Sequence, residues 1–327
     1  MNQLYPLKFT PIFKEKIWGG NKLNTILKKK CDKNKKIGES WEISGVNGSL
    51  SIIENGFLAG NNLEEIIEIY MGDLVGDKVY NEFGLEFPLL IKFIDANNDL
   101  SIQVHPNDEL ALERHRSLGK TEMWYILQAD ENAQLISGFN QPVDQELYIN
   151  KLNSNQLTSI LNFEKAKKDD VFFIPAGRIH AICKGIVVAE IQQTSDITYR
   201  IFDWNRLDDN GNSRELHTDL ALDAIDYNFH ENYRTSYEIK SKTTSNIIDN
   251  KYFTTNIIDL NNLLEKDYNF LDSFIVYICL NGRFTVDCEF CSPVTIETGE
   301  TLLIPAILRN LTLQPISSSK VLEIYIK

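Results

Sequence analysis

Three short segments of this 327-residue chain carry residue types that could do chemistry at useful spacing. The first is Ser101-Ile102-Gln103-Val104-His105-Pro106. In an extended strand, residues two apart point the same way. Ser101, Gln103 and His105 would therefore share one face, with Ile102 and Val104 on the other. The second segment is Gly119-Lys120-Thr121-Glu122-Met123-Trp124-Tyr125. Lys120 and Glu122 share a face by the same rule, and the Glu122 carboxylate stands at the mouth of an apolar strand, where it needs a cation or a donor. The third is Pro175-Ala176-Gly177-Arg178-Ile179-His180, a Pro/Gly turn that delivers His180 to the start of the next strand. Together the segments offer a Gln oxygen, two imidazoles and a carboxylate. That set suits one divalent metal ion per chain, with zinc the natural first expectation.

The elements that must position these residues are mostly strands. GESWEIS and SLSIIENG, FPLLIKFIDA, LSIQVHP, TEMWYILQA, AQLISGF, DDVFFIPAG, HAICKGIVVAEIQQ and TYRIFDW all have strand character. Leu63, Ile66, Ile67, Tyr70, Met71 and Leu74 predict a helix over 63–74. A polar helix is expected over NDELALERHR, capped by Asn107 or Asp108. Helices are also expected over 143–164 and 218–226, with a polar connection over 230–250 and almost continuous strand from 251 to 327. Many short strands predict an antiparallel barrel or sandwich.

An internal echo suggests two copies of one unit. Asp170-Val-Phe-Phe-Ile-Pro-Ala176 matches Glu300-Thr-Leu-Leu-Ile-Pro-Ala306 at an offset of 130. The echo places Asn310 where His180 stands, and a looser upstream alignment places Phe274 where Glu122 stands. The second copy therefore has no metal ligands at these positions. The expected fold is mainly β: two copies of one barrel with a few helical insertions. Residues 1–235 form the metal-binding domain, and 236–327 form a degenerate second barrel.

Composition narrows the function. The net charge of −13 disfavours nucleic acid and membrane surfaces, which require a basic face. No apolar run is long enough to span a bilayer, and the first twenty residues do not read as a secretory signal. Five sparse cysteines suggest free thiols and a cytoplasmic location. Cys288 and Cys291 have C-x-x-C spacing, but a zinc site would need a second such pair. Both are expected to be incidental strand or turn cysteines.

The two histidine-bearing segments resemble the metal motifs of the cupin superfamily, with Q-x-H where many cupins have H-x-H; the resemblance implies that both expected barrels are cupin-like jelly rolls, the second degenerate. More closely, LSIQVHP, GKTEMWY, PAGRIHA and QQTSDITYR, with WGG and GESWEIS upstream, are similar to the signatures of type I mannose-6-phosphate isomerases. The similarity runs over about residues 5–225, and more loosely beyond. It implies zinc ligands at Gln103, His105, Glu122 and His180, and substrate-facing residues at Ser101 and Lys120. It also implies an active-site arginine at Arg200, an acidic neighbour at Asp196 and a proton-carrying carboxylate at Glu190. The implied reaction interconverts D-mannose 6-phosphate and D-fructose 6-phosphate through a cis-enediol, so the partner is a small sugar phosphate. Glu190 follows the apolar run 186–189, and burial there would raise its pKa towards that of a useful base. Lys120 and Ser101 would hold phosphate or sugar hydroxyls, with Lys92 and Arg178 as further phosphate candidates. Two alternatives remain open at this level: another metal-dependent cupin enzyme, such as an iron dioxygenase, or a non-catalytic sugar-binding cupin. The sequence leaves the oligomeric state undetermined.

Overall fold

The computed structural model describes residues 3–207, 211–240, 244–289 and 291–327. Three antiparallel sheets dominate it. A seven-stranded sheet has the spatial order Arg234–Thr235, Val171–Ile174, Glu122–Ala129, Ile186–Gln193, Leu89–Ala96, Ile37–Ile43, Ile12–Gly20. A five-stranded sheet has the order Tyr199–Phe202, Ile102–Val104, His180–Ile182, Gln134–Phe139, Leu161–Lys165. The third sheet takes its seven strands from Thr244 to Tyr325.

Strand periodicity explains how these layers meet. Along Glu122–Ala129, Trp124 and Ile126 join Ile94, Phe172, Leu135 and Ile182 in one cluster that draws on both of the first two sheets. The alternate residues Met123, Tyr125 and Leu127 join a larger cluster with Ile66, Ile67, Val276, Ile278, Leu322 and Ile324. The central strands are thus buried on both faces, which is why Leu89–Ala96 and Ile186–Gln193 contain no exposed residue. Each fully buried Leu or Ile on these faces contributes roughly 1.5–3 kcal/mol by leaving water.

Several elements differ from the sequence-based expectation. The segment HAICKGIVVAEIQQ is two strands, not one: His180–Ile182 lies in the five-stranded sheet and Ile186–Gln193 in the seven-stranded sheet. The crossing occurs at Gly185, whose φ of +88° disfavours a side chain, and a Cβ there would meet Asp130 Oδ2 at 2.8 Å. The helix expected over 63–74 ends at Tyr70, because Met71 takes a φ of +46°; short helices Gly72–Val75 and Asp77–Phe83 follow. Its start is legible, since Asn62 and Glu65 form a reciprocal capping box. Of 143–164, only Gln145–Asn153 is α-helical; a 3-10 turn at Leu157–Ile160 leads into strand Leu161–Lys165. The polar connection contains strands Arg234–Thr235 and Thr244–Asp249, anchored by buried Tyr233, Ile247 and Ile248. Helices Asp108–His115, capped by Asn107, and Thr218–Ala224 match expectation.

Cys288 and Cys291 form a disulfide, contrary to the expectation of free thiols; Cys31, Cys183 and Cys279 are free. The turn between strands Ile275–Cys288 and Val294–Glu297 brings the two Cα atoms to 5.7 Å, within the range a disulfide spans.

The third sheet repeats part of the first, but not at the sequence offset throughout. Ile174 pairs with Glu122, and Ile304 pairs with Ile275. The position matching Glu122 is therefore Ile275, one residue on from Phe274. The lateral row Lys92–Glu190–Trp124 has a counterpart in Asn256–Glu323–Tyr277. In both rows the carboxylate is buried; Asn256 donates to Glu323 at 2.8 Å, and Lys266 pairs with it at 2.6 Å. Tyr268 also hydrogen-bonds Glu323, so the second carboxylate is enclosed by its own barrel.

Candidate active site and metal centre

Two cross-strand rows face each other across the first sandwich. In the five-stranded sheet, Gln103 lies between Arg200 and His180. In the seven-stranded sheet, Trp41, Lys92, Glu190 and Trp124 are successive lateral neighbours. Side chains side by side on neighbouring strands project from the same face, so strand pairing alone joins residues up to 98 positions apart in these rows, as Lys92 and Glu190 are.

At the buried end, His105, Glu122 and His180 offer ligand atoms within 4.8 Å of one another. His105 Nδ1 donates to Ile197 O at 2.9 Å, and His180 Nδ1 donates to Arg178 O at 2.8 Å. A carbonyl can only accept, so both neutral rings carry their proton on Nδ1 and turn an Nε2 lone pair to the centre. Burial holds both rings neutral: it pushes the His105 pKa well below its usual value and that of His180 down to about 3, with the Lys120 charge adding to both shifts. Glu122 is fully buried, and neither of its oxygens accepts a well-formed hydrogen bond. They stand 3.5 Å from His105 Nε2 and 3.3 Å from His180 Nε2. Two inward lone pairs beside an unsatisfied buried carboxylate are a donor set that fits a divalent cation. The Lys120 ammonium reaches the same atoms, 3.0 Å from His105 Nε2 and 3.1 Å from Glu122 Oε2. The turn before His180 is tied to this centre, because Gly177 N donates to His105 O at 2.9 Å. Gly177 has a φ of +89°, which suits a residue without Cβ.

Gln103 joins the cluster with its amide nitrogen, not its oxygen, 3.2 Å from His180 Nε2. The Nε2 lone pair takes a donor in this arrangement. A half-turn of the amide brings the oxygen to the same place.

A cavity of about 300 Å³ opens from the cluster, reaching it through Gln103 and Lys120. Ser101, Lys92, Glu190, Asp196 and Arg200 also line it, so of the site residues predicted from sequence all but Arg178 are in the buried cluster or on this wall. Glu190 Oε1 accepts from Trp124 Nε1 at 2.8 Å, and Oε2 ion-pairs with Lys92 at 2.7 Å. Burial raises the Glu190 pKa and the Glu122 charge adds to it, while Lys92 opposes both. Burial would discharge Lys92, but Glu190 and Glu39 outweigh it and raise its pKa. Arg200 is half-buried; Nη1 donates to Glu215 O at 2.7 Å, while Nε is buried without a partner. His217 is partly buried, and its Nδ1 accepts from Arg200 N at 3.1 Å. Arg178 does not line the cavity; it donates to Phe173 O and stacks on Tyr233.

Sequence reading missed Lys16, Glu39 and Arg214 on the cavity wall, which Trp18 also lines. Glu39 sits two residues from Trp41 and accepts its Nε1–H at 2.6 Å. Burial raises its pKa, but Lys92 and Lys16 prevail and bring it down to about 2. Glu39 lies in the GESWEIS segment, but no motif joins the three; the pairing of Ile37–Ile43 with its neighbours and the turn at 211–217 bring them in.

The neutral histidines give a stability prediction for metal-free protein. The folded His180 pKa lies below the unfolded value of about 6.5, so between pH 6.5 and about 3 the unfolded chain binds the extra proton. Stability is lost as pH falls through that window, by about 1.4 kcal/mol per pH unit from His180 alone. Urea unfolding of stripped wild type and His180→Asn at pH 6 and pH 5 should show this extra slope only in the wild type. Parallel slopes would contradict the buried neutral ring.

This is the fold and donor set of a mainly β, cupin-like protein with a candidate metal centre at the end of a charged cavity. The comparisons specify the family. A profile of the phosphomannose isomerase type I catalytic domain matches residues 6–133. The mannose-6-phosphate isomerase of Streptococcus mutans is 31% identical over 306 residues, covering 93% of this chain and 94% of its own. The mannose-6-phosphate isomerase ManA of Bacillus subtilis is 38% identical over 259 residues, covering 76% and 78%. The crystal structure of a mannose 6-phosphate isomerase from Bacillus subtilis superposes with a TM-score of 0.87 at 32% identity, covering 98% of this chain and 99% of that one. The chain belongs to the type I mannose-6-phosphate isomerase family.

Proposed function

We propose that this protein is a zinc-dependent isomerase that interconverts D-mannose 6-phosphate and D-fructose 6-phosphate. The observation that carries this reading is the convergence of Gln103, Lys120, Glu190 and Arg200 on one cavity above a buried His/Glu/His cluster. His105, Glu122 and His180 hold the metal, and Gln103 completes the set with its amide oxygen. A bound divalent cation supplies a positive field at the C1 or C2 oxygen of the open-chain sugar. Ser101, Lys120 and Asp196 hold the sugar hydroxyls around the reacting carbons. Glu190 takes the proton from C2 of the aldose and returns it to C1. Its raised pKa suits that task, and Trp124 and Lys92 fix the direction of its oxygens. Arg200 and Lys120 meet the negative charge that develops on the enediol oxygens.

The same reading takes residues 1–235 as the catalytic unit and 236–327 as the metal-free one. Strand Arg234–Thr235 ends the first sheet and Thr244–Asp249 begins the third. Among the described residues, no helix is long and apolar enough to cross a membrane. With a phosphorylated sugar as substrate and a net charge of −13, a cytoplasmic enzyme without nucleic-acid partners is the consistent reading.

A coupled assay converting mannose 6-phosphate to fructose 6-phosphate tests the proposal. Turnover should vanish with chelator and return with zinc. Gln103→Ala should weaken metal binding less than loss of a histidine, because a neutral amide is the poorer ligand. Turnover unaffected by exhaustive chelation would reject the metal role; sugar phosphate binding without turnover would favour a non-catalytic cupin.

A further inference from the structure

The cavity grades from buried to open. The Lys120 and Lys92 side chains at its inner end are 5% and 9% exposed, whereas those of Lys16 and Arg214 are 35% and 28% exposed. An open-chain hexose with C1 and C2 at the metal end extends four more carbons outward. Its 6-phosphate therefore falls at the rim, where these two cations stand.

Arg214 is built for that position. Asp203 takes one side of its guanidinium, with Nε to Oδ2 at 2.7 Å and Nη2 to Oδ1 at 2.6 Å. That bidentate grip orients the fork and leaves Nη1 without a hydrogen bond to any described residue. Asp203 is itself buried and is shared with Arg206, at 2.8 Å. Arg200 lines the same cavity, and its buried Nε has no partner. Arg200 and Arg214 thus stand together on the cavity wall, and the nearby Glu215 is largely in solvent. Burial and the Arg214 charge both work against the charge on Arg200. Within a chain of net charge −13, this pair of guanidiniums gives the cavity wall a local positive site. A phosphate dianion supplies the opposite charge, and its oxygens match arginine donors.

We infer that Arg214, positioned by Asp203 on the cavity wall it shares with Lys16, grips the 6-phosphate at the cavity rim and makes the site select phosphorylated over unphosphorylated sugar. This rests on the proposed sugar-phosphate function and adds a specificity residue to it.

The test uses full-length, zinc-loaded protein. Arg214→Gln should raise KM for mannose 6-phosphate by about 10–100-fold, the usual scale for a lost charge-assisted contact, with a much smaller change in kcat. The preference for mannose 6-phosphate over mannose should fall by the same factor. Calorimetry with inorganic phosphate should show its affinity weakened to match. Arg206→Gln is the control, since Arg206 shares Asp203 but does not line the cavity; its phosphate affinity and substrate preference should stay within about threefold of wild type. Arg214→Lys should recover part of the loss, because it keeps charge without the fork. Equal loss towards mannose and mannose 6-phosphate, or an Arg206→Gln defect as large as that of Arg214→Gln, would overturn the inference. If wild type fails to isomerise mannose 6-phosphate but binds phosphate in an Arg214-dependent way, the functional proposal falls and the anion site stands.

Discussion

His180→Ala is expected to lose tightly bound metal and turnover together, by more than about 100-fold in each. Removing even an outer partner of a metal ligand costs 10–100-fold, and His180 would be a ligand itself. The substitution removes one of only two inward Nε2 lone pairs in the cluster and leaves Glu122 facing a single imidazole. His105→Ala should behave the same way. Elemental analysis of dialysed protein, alongside the coupled assay, makes the check. An unchanged metal content in His180→Ala would mean that the 175–180 turn does not serve the metal. Dialysed wild type should hold one tightly bound ion per chain, because Ile275 and Asn310 cannot replace Glu122 and His180 in the second barrel. Two tightly held ions would contradict that.

The second large effect belongs to Arg200. Arg200→Ala should lower kcat by about two to three orders of magnitude, the scale for losing a donor aimed at transition-state charge. Metal content should not change, since Arg200 contributes no metal ligand. The split between the two readouts separates charge stabilisation from general damage to the site. Near-normal kcat, or loss of metal in parallel with activity, would remove Arg200 from this role. Arg200→Lys should retain part of the rate, because a point charge replaces the field but not the fork.

What could be read in advance follows from the range of the signals. Ser101, Gln103 and His105 lie within five residues, Lys120 and Glu122 within three, and Gly177 and His180 within four; period-two alternation and a Pro/Gly turn are local rules. The metal cluster, the mainly β class and the ends of helices such as the one capped by Asn62 and Glu65 were accordingly legible. The internal echo was legible too, although the residue matching Glu122 proved to be Ile275 rather than Phe274. Strand pairing sets that correspondence, and a one-residue slip leaves a loose sequence echo looking much the same.

Tertiary structure decided the rest, because non-local pairing leaves little local trace. Gly185 sends two halves of one apolar run into different sheets, and only the pairing of Ile186–Gln193 with Leu89–Ala96 sets Glu190 beside Lys92. The approach of Cys288 to Cys291 likewise depends on a chain reversal that spacing does not specify. Lys16, Glu39 and Arg214 come from segments with no shared motif and meet at the cavity because strand register and the Asp203 ion pair hold them there. The sequence by itself showed which side chains could meet at a metal, through residue type and short-range alternation, while Glu190 and Arg200 entered through the family resemblance. Only the packed sheets decided which charges face one another across the cavity, since that depends on register between strands far apart in the chain.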